Sequence, residues 1–323
     1  MGSIERLFDR DRSGDASRLS ARLEDYRHRE QEIGPRPIDR EAGQPAWQGS
    51  GPVPEVPADS FTNEALLSAM ASRGCLIVRG FFDPGIADIY TPIIDRLLDT
   101  VYAKSGGDKD DALEKILNNP PQAISTLLTE QVWKRSRGFH RLSGSVMCVE
   151  SSGISEQLLE LYESRGLKEI VGNYLGEPPC LSALKWVLRR SLLPVKPEGW
   201  HQDGAFMGED INSLNMWVPL SRCGGDTGAP GLDILPARLL EIVGAGDDDA
   251  VFNWSVGKDA VVSKYSTEAI VSPEFNVGDA FFFDHFLLHR TQYKEEFPRL
   301  RYAIETWFFG ERNFPKAQVP LAW

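Results

Sequence analysis

Ile211-Asn212-Ser213-Leu214-Asn215-Met216-Trp217-Val218-Pro219-Leu220 is the stretch on which the fold turns. Leu214, Met216, Val218 and Leu220 alternate with Asn215, Trp217 and Pro219. A period of two is that of a strand, with one set of side chains on each face. Short β-branched or aromatic runs recur at 181–190, 280–283 and 300–309, separated by clusters of Gly, Pro, Asn and Asp. That is strand-and-turn punctuation. The first half has a different rhythm. Residues 61–73 read as a helix with Leu66, Leu67 and Met70 on one face and Gly74 as its stop. Cys75–Arg79 reads as a short strand, and Asp83-Pro84 as a helix start, the acid capping and the proline in the first turn. Ile86, Ile89, Ile93, Leu97 and Val101 carry helical spacing to about Lys104. Further helical segments are expected near 121–134 and 155–175. Helices first and strands later predict a mainly β fold with flanking helices, a two-sheet barrel or jelly roll.

The bulk properties agree with one such domain. The chain has 323 residues, 41% apolar and 25% charged, which permits a single decorated barrel with a sizeable core. We place that domain at 59–323, with a helical region over 59–178 and the β core mostly over 179–310. Residues 1–58 form a separate arm. Arg, Asp, Glu and Ser dominate it up to about Ala42, and a Gly/Pro-rich linker runs from Gly43 to Pro57. Such a composition predicts partial disorder. Leu19, Leu23 and Tyr26 nevertheless form a short helical stripe, able to dock on the main body or to join two copies as a homodimer.

A net charge of −12 gains nothing from counterion release, so nucleic acid is not expected as a partner. Lys185, Arg189, Arg190 and Lys196 make one local basic stretch. It reads as alternating solvent-facing positions on a strand, or as a docking rim for an anionic substrate or carrier. Cys75, Cys148, Cys180 and Cys223 show no pairing pattern and no Cys-x-x-Cys, which argues against a zinc ribbon and suits a reducing compartment. The N-terminus is charged rather than apolar, and no apolar run approaches a membrane span. The expectation is a cytoplasmic protein with no membrane partner.

Chemistry concentrates in two segments, Trp200-His201-Gln202-Asp203-Gly204 and Asp284-His285-Phe286-Leu287-Leu288-His289. They hold three of the five histidines. On a strand, His201 and Asp203 would point to one face and reach one ion. A histidine from another strand, His285 or His289, would complete a set of two imidazoles and one carboxylate. That set leaves coordination positions open and suits Fe(II). Val277-Gly278-Asp279 reads as a turn feeding the apolar strand Ala280–Phe283, just before both histidines. Farther on, Arg299 or Arg301 enters an otherwise apolar strand. A guanidinium there is costly unless paired, and its planar fork matches a carboxylate. The position after the histidines favours a carboxylate anchor over a salt bridge to Glu305. Thr291 could give the same carboxylate a hydrogen bond.

These residues resemble the phytanoyl-CoA dioxygenase family of Fe(II)/2-oxoglutarate-dependent oxygenases. The likeness runs from about Gly74 to Phe309 and rests on four stretches: Gly74–Pro84, Trp200–Gly204, Gly228–Pro236, and Gly278–His289 with Arg301. It implies a double-stranded β-helix, a cupin-like jelly roll wrapped by helices. It implies His201, Asp203 and His289 as iron ligands, with His285 a supporting or surface group. Arg301, helped by Thr291, would anchor the far carboxylate of 2-oxoglutarate, and Trp217 matches an aromatic position lining that pocket. The chain departs from the family at Pro236-Ala237-Arg238-Leu239, where Pro-Gly-Ser-His is frequent, and at Arg290-Thr291-Gln292. The first departure borders the substrate entrance.

The resemblance further implies use of O₂ and of 2-oxoglutarate as cosubstrate, with ascorbate supporting activity. Asp203 is retained where related halogenases carry Gly or Ala, so hydroxylation of an unactivated C–H bond is the expected outcome. The substrate is expected to be a small molecule of specialised metabolism. Trp186, Trp200 and Phe206 would suit a sizeable apolar or ring-bearing one, Trp186 and Phe206 being the candidate substrate residues. The alternative is a metal-dependent cupin isomerase or hydrolase, which gives no reason for Arg301 and Thr291 to stand where they do.

Overall fold

The computed structural model describes residues 15–30, 45–102, 130–195, 199–244, 246, 250 and 252–323. Helix α1 (Asp15–Glu30) lies against the body of its own chain. Its stripe of Leu19, Leu23 and Tyr26 is buried, Arg22 Nε donates to Glu156 (3.2 Å), and the Tyr26 hydroxyl donates to the Glu311 carbonyl (3.3 Å). Strand β1 (Glu55–Pro57) runs parallel to β2 (Cys75–Arg79), so the sheet begins slightly before Asp59.

Between them lies α2 (Asn63–Arg73). Thr62 caps it by accepting from the Ala65 N–H (3.1 Å), and Gly74 ends it with φ +71°, a conformation that favours glycine. Helix α3 spans Ile86–Tyr102, three residues beyond Asp83, whose carboxylate closes the entering turn on the Gly85 N–H (2.8 Å). The helix expected near 121–134 falls partly outside the described residues; its described part, α4 (Glu130–Leu142), continues past the expected end. The segment expected over 155–175 is two helices, α5 (Ser152–Ser164) and α6 (Leu167–Leu175), parted at Arg165-Gly166.

The remaining strands are β3 (Ser145–Met147), β4 (Pro179–Arg190), β5 (Ser213–Pro219), β6 (Leu232–Ile234), β7 (Ala280–Phe283), β8 (His289–Thr291), β9 (Tyr302–Gly310) and β10 (Pro320–Ala322). Eight strands form the main sheet in the order β1-β2-β7-β5-β9-β4-β10, with β3 also paired to β4. Strands β6 and β8 pair antiparallel opposite it. Isolated bridges widen this second layer: Trp200 to Val256, His201 to His289, and Ile234 to Val271.

Period-two patterning decides which residues meet which layer. Leu214, Met216, Val218, Phe282 and Ile304 share one apolar cluster with helix residues such as Tyr90, Ile94, Leu158 and Tyr162. Trp217, Phe281, Phe283, Ala303 and Trp307 share another with Leu232, Ile234 and Leu287 of the second layer. The fold is thus the expected jelly roll, mainly β with helices flanking one face, and the space between its sheets is where the histidines converge. The four cysteines are free and buried. Among the described residues, no helix is long and apolar enough to cross a membrane.

Candidate metal centre

His201, Asp203 and His289 meet in one cluster, with one ligand atom from each lying within 4.8 Å of the others. The scaffold is the bridge between His201 and His289. Their backbones exchange two hydrogen bonds, His201 N–H to His289 O (2.9 Å) and His289 N–H to His201 O (3.0 Å). This sets the imidazoles side by side, ring centroids 4.4 Å apart.

Asp203 arrives by a different route from the one expected. It is not a second position on a strand. Its backbone is helical (φ −63°, ψ −23°), and it stands immediately before a single helical turn, α7 (Gly204–Met207). The chain leaves the bridge after His201 and coils, and that coil swings the carboxylate back over the imidazoles. Its Oδ2 lies 3.6 Å from His289 Nε2.

Each imidazole is oriented by the carbonyl two residues before it. His201 Nδ1 lies 3.2 Å from Gly199 O, and His289 Nδ1 lies 3.0 Å from Leu287 O. A carbonyl only accepts, so Nδ1 carries the proton and Nε2 keeps its lone pair for a metal. Burial, and the nearby His289, hold His201 down to about 4, so it is neutral at neutral pH as a ligand must be. Two imidazole nitrogens and one carboxylate on one side, with no fourth ligand in the cluster among the described residues, fit a divalent iron that keeps open positions.

Gln202, the residue between the ligands, holds the segment in place. Its amide donates to Phe286 O (2.8 Å) and Glu241 O (3.0 Å), and its carbonyl accepts from the Val243 N–H (2.7 Å). His285 is fully buried, which overturns a surface role. Its Nδ1 meets Ser213 Oγ (2.7 Å) and its Nε2 meets Glu209 O (3.1 Å), so it braces the loop after α7 instead of joining the cluster. The departure at Arg238 has a partner: Arg238 donates to the buried Asp284 (2.6 Å), beside the closing motif.

The two arginines part company. Arg299 is exposed, whereas Arg301 is only 6% exposed. Arg301 Nη1 donates to Gly231 O (3.1 Å), and its guanidinium stands 5.7 Å from the Trp217 ring. The next residue, Leu232, pairs with Thr291 on β8, two positions past His289. Arg301, Trp217 and Thr291 thus gather around the start of β6 and the end of β8.

Two aromatic candidates do not reach the site. Trp186 is in the helix-side cluster, its ring 6.3 Å from Tyr162, so as a substrate residue it is corrected to core. Trp200 packs with Leu235, Val243 and Leu288 under Arg290, away from its neighbour His201 because adjacent extended residues face oppositely. Phe206 is half-buried and stands beside Trp254. The solvent-facing reading of the basic stretch also fails. Arg189 donates to Glu305 (2.6 Å) and Arg190 to Asp95 (2.7 Å) and Asp99 (2.9 Å). Lys185 turns inward: its Nζ lies 3.9 Å from Asp203 Oδ1 and 4.4 Å from the Phe206 ring centroid. Lys196 lies outside the described residues.

Gln202 and Trp254 are site residues that sequence reasoning did not single out, whereas Lys185 stood in the basic stretch that could meet an anionic substrate. Only Lys185 carried a signal, as a charge inside an otherwise apolar strand.

No protein-family model and no curated protein sequence matches the chain. Solved structures do share its fold. EctD from S. alaskensis, crystallised with 2-oxoglutarate and 5-hydroxyectoine, superposes with a TM-score of 0.52 at 15% identity, over 87% of this chain and 84% of that one. SnoK, a non-haem α-ketoglutarate-dependent carbocyclase from nogalamycin biosynthesis, gives 0.50 at 13% identity over 81% and 87%. The epimerase SnoN, in complex with Fe³⁺ and α-ketoglutarate, gives 0.50 at 15% over 77% and 83%. At these identities the similarity speaks for the jelly-roll fold.

Proposed function

We propose that this chain is an Fe(II)- and 2-oxoglutarate-dependent dioxygenase, related to the phytanoyl-CoA dioxygenase family, that hydroxylates an unactivated C–H bond of a small molecule. The observation that carries the reading is the convergence of His201, Asp203 and His289 with both Nδ1 atoms committed to carbonyls. The likeness in fold to proteins crystallised with 2-oxoglutarate or with Fe³⁺ and α-ketoglutarate supports it.

In this reading His201, Asp203 and His289 hold the iron, which supplies O₂-dependent oxidation coupled to decarboxylation of 2-oxoglutarate. Arg301 binds the far carboxylate of the cosubstrate, Thr291 adds a hydroxyl contact, and Trp217 walls the pocket. A guanidinium buried against an aromatic ring gains strength because water does not screen it. The retained Asp203 favours hydroxylation over halogenation, and we place the substrate in specialised metabolism. SnoK and SnoN share the fold and are named for other outcomes, so the product is to be identified directly.

The test is turnover of purified protein with Fe(II), ascorbate, 2-oxoglutarate and a panel of small organic molecules. Succinate should form above a His201→Ala control, with oxygen gained in a product. Succinate no higher than that control across the panel sinks the reading.

A further inference from the structure

Beside the triad stands an aromatic wall. Trp254 lies edge-to-face with the His201 ring (5.4 Å) and with Phe206 (5.4 Å), and Phe252 stacks on Trp254 (4.6 Å, 8° between planes). Phe206 packs against the apolar cluster between the sheets without being fully covered. Phe206 and Trp254 are half-buried, and Phe252 is 42% exposed. Large rings left facing water next to a candidate catalytic centre cost free energy unless something flat covers them.

Lys185 also meets Phe206, its Nζ 4.4 Å from the ring centroid. Among the described residues, the carboxylates of Asp203 and Glu305 face its ammonium. Glu305 is already matched by Arg189 at 2.6 Å. Asp203 would be neutralised by a divalent cation on the triad, which leaves Lys185 as surplus positive charge in a nearly water-free position, 13% exposed. Charge there is screened little and selects the sign of what binds.

We propose that the substrate is a planar, ring-bearing molecule with an anionic group, its ring against Phe206, Trp254 and Phe252 and its anion on Lys185. This rests on the metal-site reading above and names the substrate class for it. Lys185 is then a specificity residue, not a ligand of the metal.

The test is calorimetry on the full chain loaded with Zn(II) and 2-oxoglutarate, so that the cosubstrate already holds Arg301 and two metal positions; a probe carboxylate that takes the remaining metal position shows itself by an advantage that survives Lys185→Met. Three probes separate the contributions: 2-naphthoate, neutral 2-naphthylmethanol, and saturated decahydro-2-naphthoate. We expect 2-naphthoate to bind at least tenfold more tightly than either of the others. Lys185→Met should erase its advantage over the alcohol, Lys185→Arg should keep it, and Trp254→Leu should weaken both aromatic probes. Equal affinity for the three probes, or an advantage that survives Lys185→Met, overturns the proposal while leaving the metal site intact. A chain that takes up no zinc removes the metal reading itself, and this inference with it.

Discussion

Arg301 carries the sharpest prediction at the scale of single residues. It is buried while Arg299 is exposed, two positions away on the same segment. Losing a buried charge-assisted contact costs about 1.5–3 kcal/mol, roughly a 10- to 100-fold loss in affinity. Arg301→Ala should therefore weaken 2-oxoglutarate binding by that factor, while Arg299→Ala leaves it within about twofold. A calorimetric titration with the ranking reversed would show that the anchor is misassigned. Gln202 offers a second check, because it satisfies two carbonyls and one N–H around the ligand segment. Gln202→Ala leaves those groups unmatched and should lower stability by about 1–3 kcal/mol, read from urea unfolding of the metal-free chain. The ligand residues themselves were legible in the sequence, since three histidines stand in two short segments. Trp254 was not, and Lys185 was legible only as one member of a basic stretch, because their places beside the triad come from chain segments that meet only in three dimensions.

Elements are specified where one periodicity serves one layer. The run Ala280–Phe283 is buried on both faces: Phe282 packs with the helices, while Phe281 and Phe283 line the space between the sheets. Phe282 has no exposed surface and stacks 5.4 Å from Phe61. Phe282→Ala should cost about 3–5 kcal/mol, measured by chemical denaturation; a loss below about 1 kcal/mol would mean that this strand is not the core it is taken for. The strands at 181–190, 211–220, 280–283 and 300–309 could be read because alternation and turn residues agree locally. The break between α5 and α6 is signalled only by Gly166, a weak mark within apolar helical spacing. Asp203 departs from strand geometry for a related reason. An i, i+2 pair fits a strand, yet the chain coils there, held by the Gly204 N–H to His285 O bond (3.0 Å) from a segment some eighty residues away.

For the molecule as a whole, buried titratable groups set the response to acid. His140 sits against Ser145 Oγ (3.1 Å) and Leu184 O (2.7 Å), and burial, with Lys185 and Arg189 nearby, lowers it to about 3. An unfolded histidine takes its proton near pH 6.5, so the unfolded state gains protons first and stability falls as pH drops from about 6.5 towards 3. Glu305 is held down to about 2 despite its burial, by Arg189 and then Lys185. Its contribution is present above about pH 4.5 and is lost as pH falls towards 2. Unfolding free energy should thus decline in two stages. His140→Asn should flatten the first by up to about 1.4 kcal/mol per pH unit, the value of one proton. An unchanged slope between pH 6 and 4.5 would refute this assignment.

The proposed function requires the fold to hold an iron and a 2-oxo acid between its two sheets. An iron–2-oxo-acid chelate absorbs visible light by charge transfer, so anaerobic titration of the full chain with Fe(II) and 2-oxoglutarate reads the centre without any knowledge of the substrate. A visible band should saturate at one iron per chain, require 2-oxoglutarate, and disappear in His201→Ala and His289→Ala. No band at saturating iron and cosubstrate, or a band that persists in both variants, would contradict the proposed function.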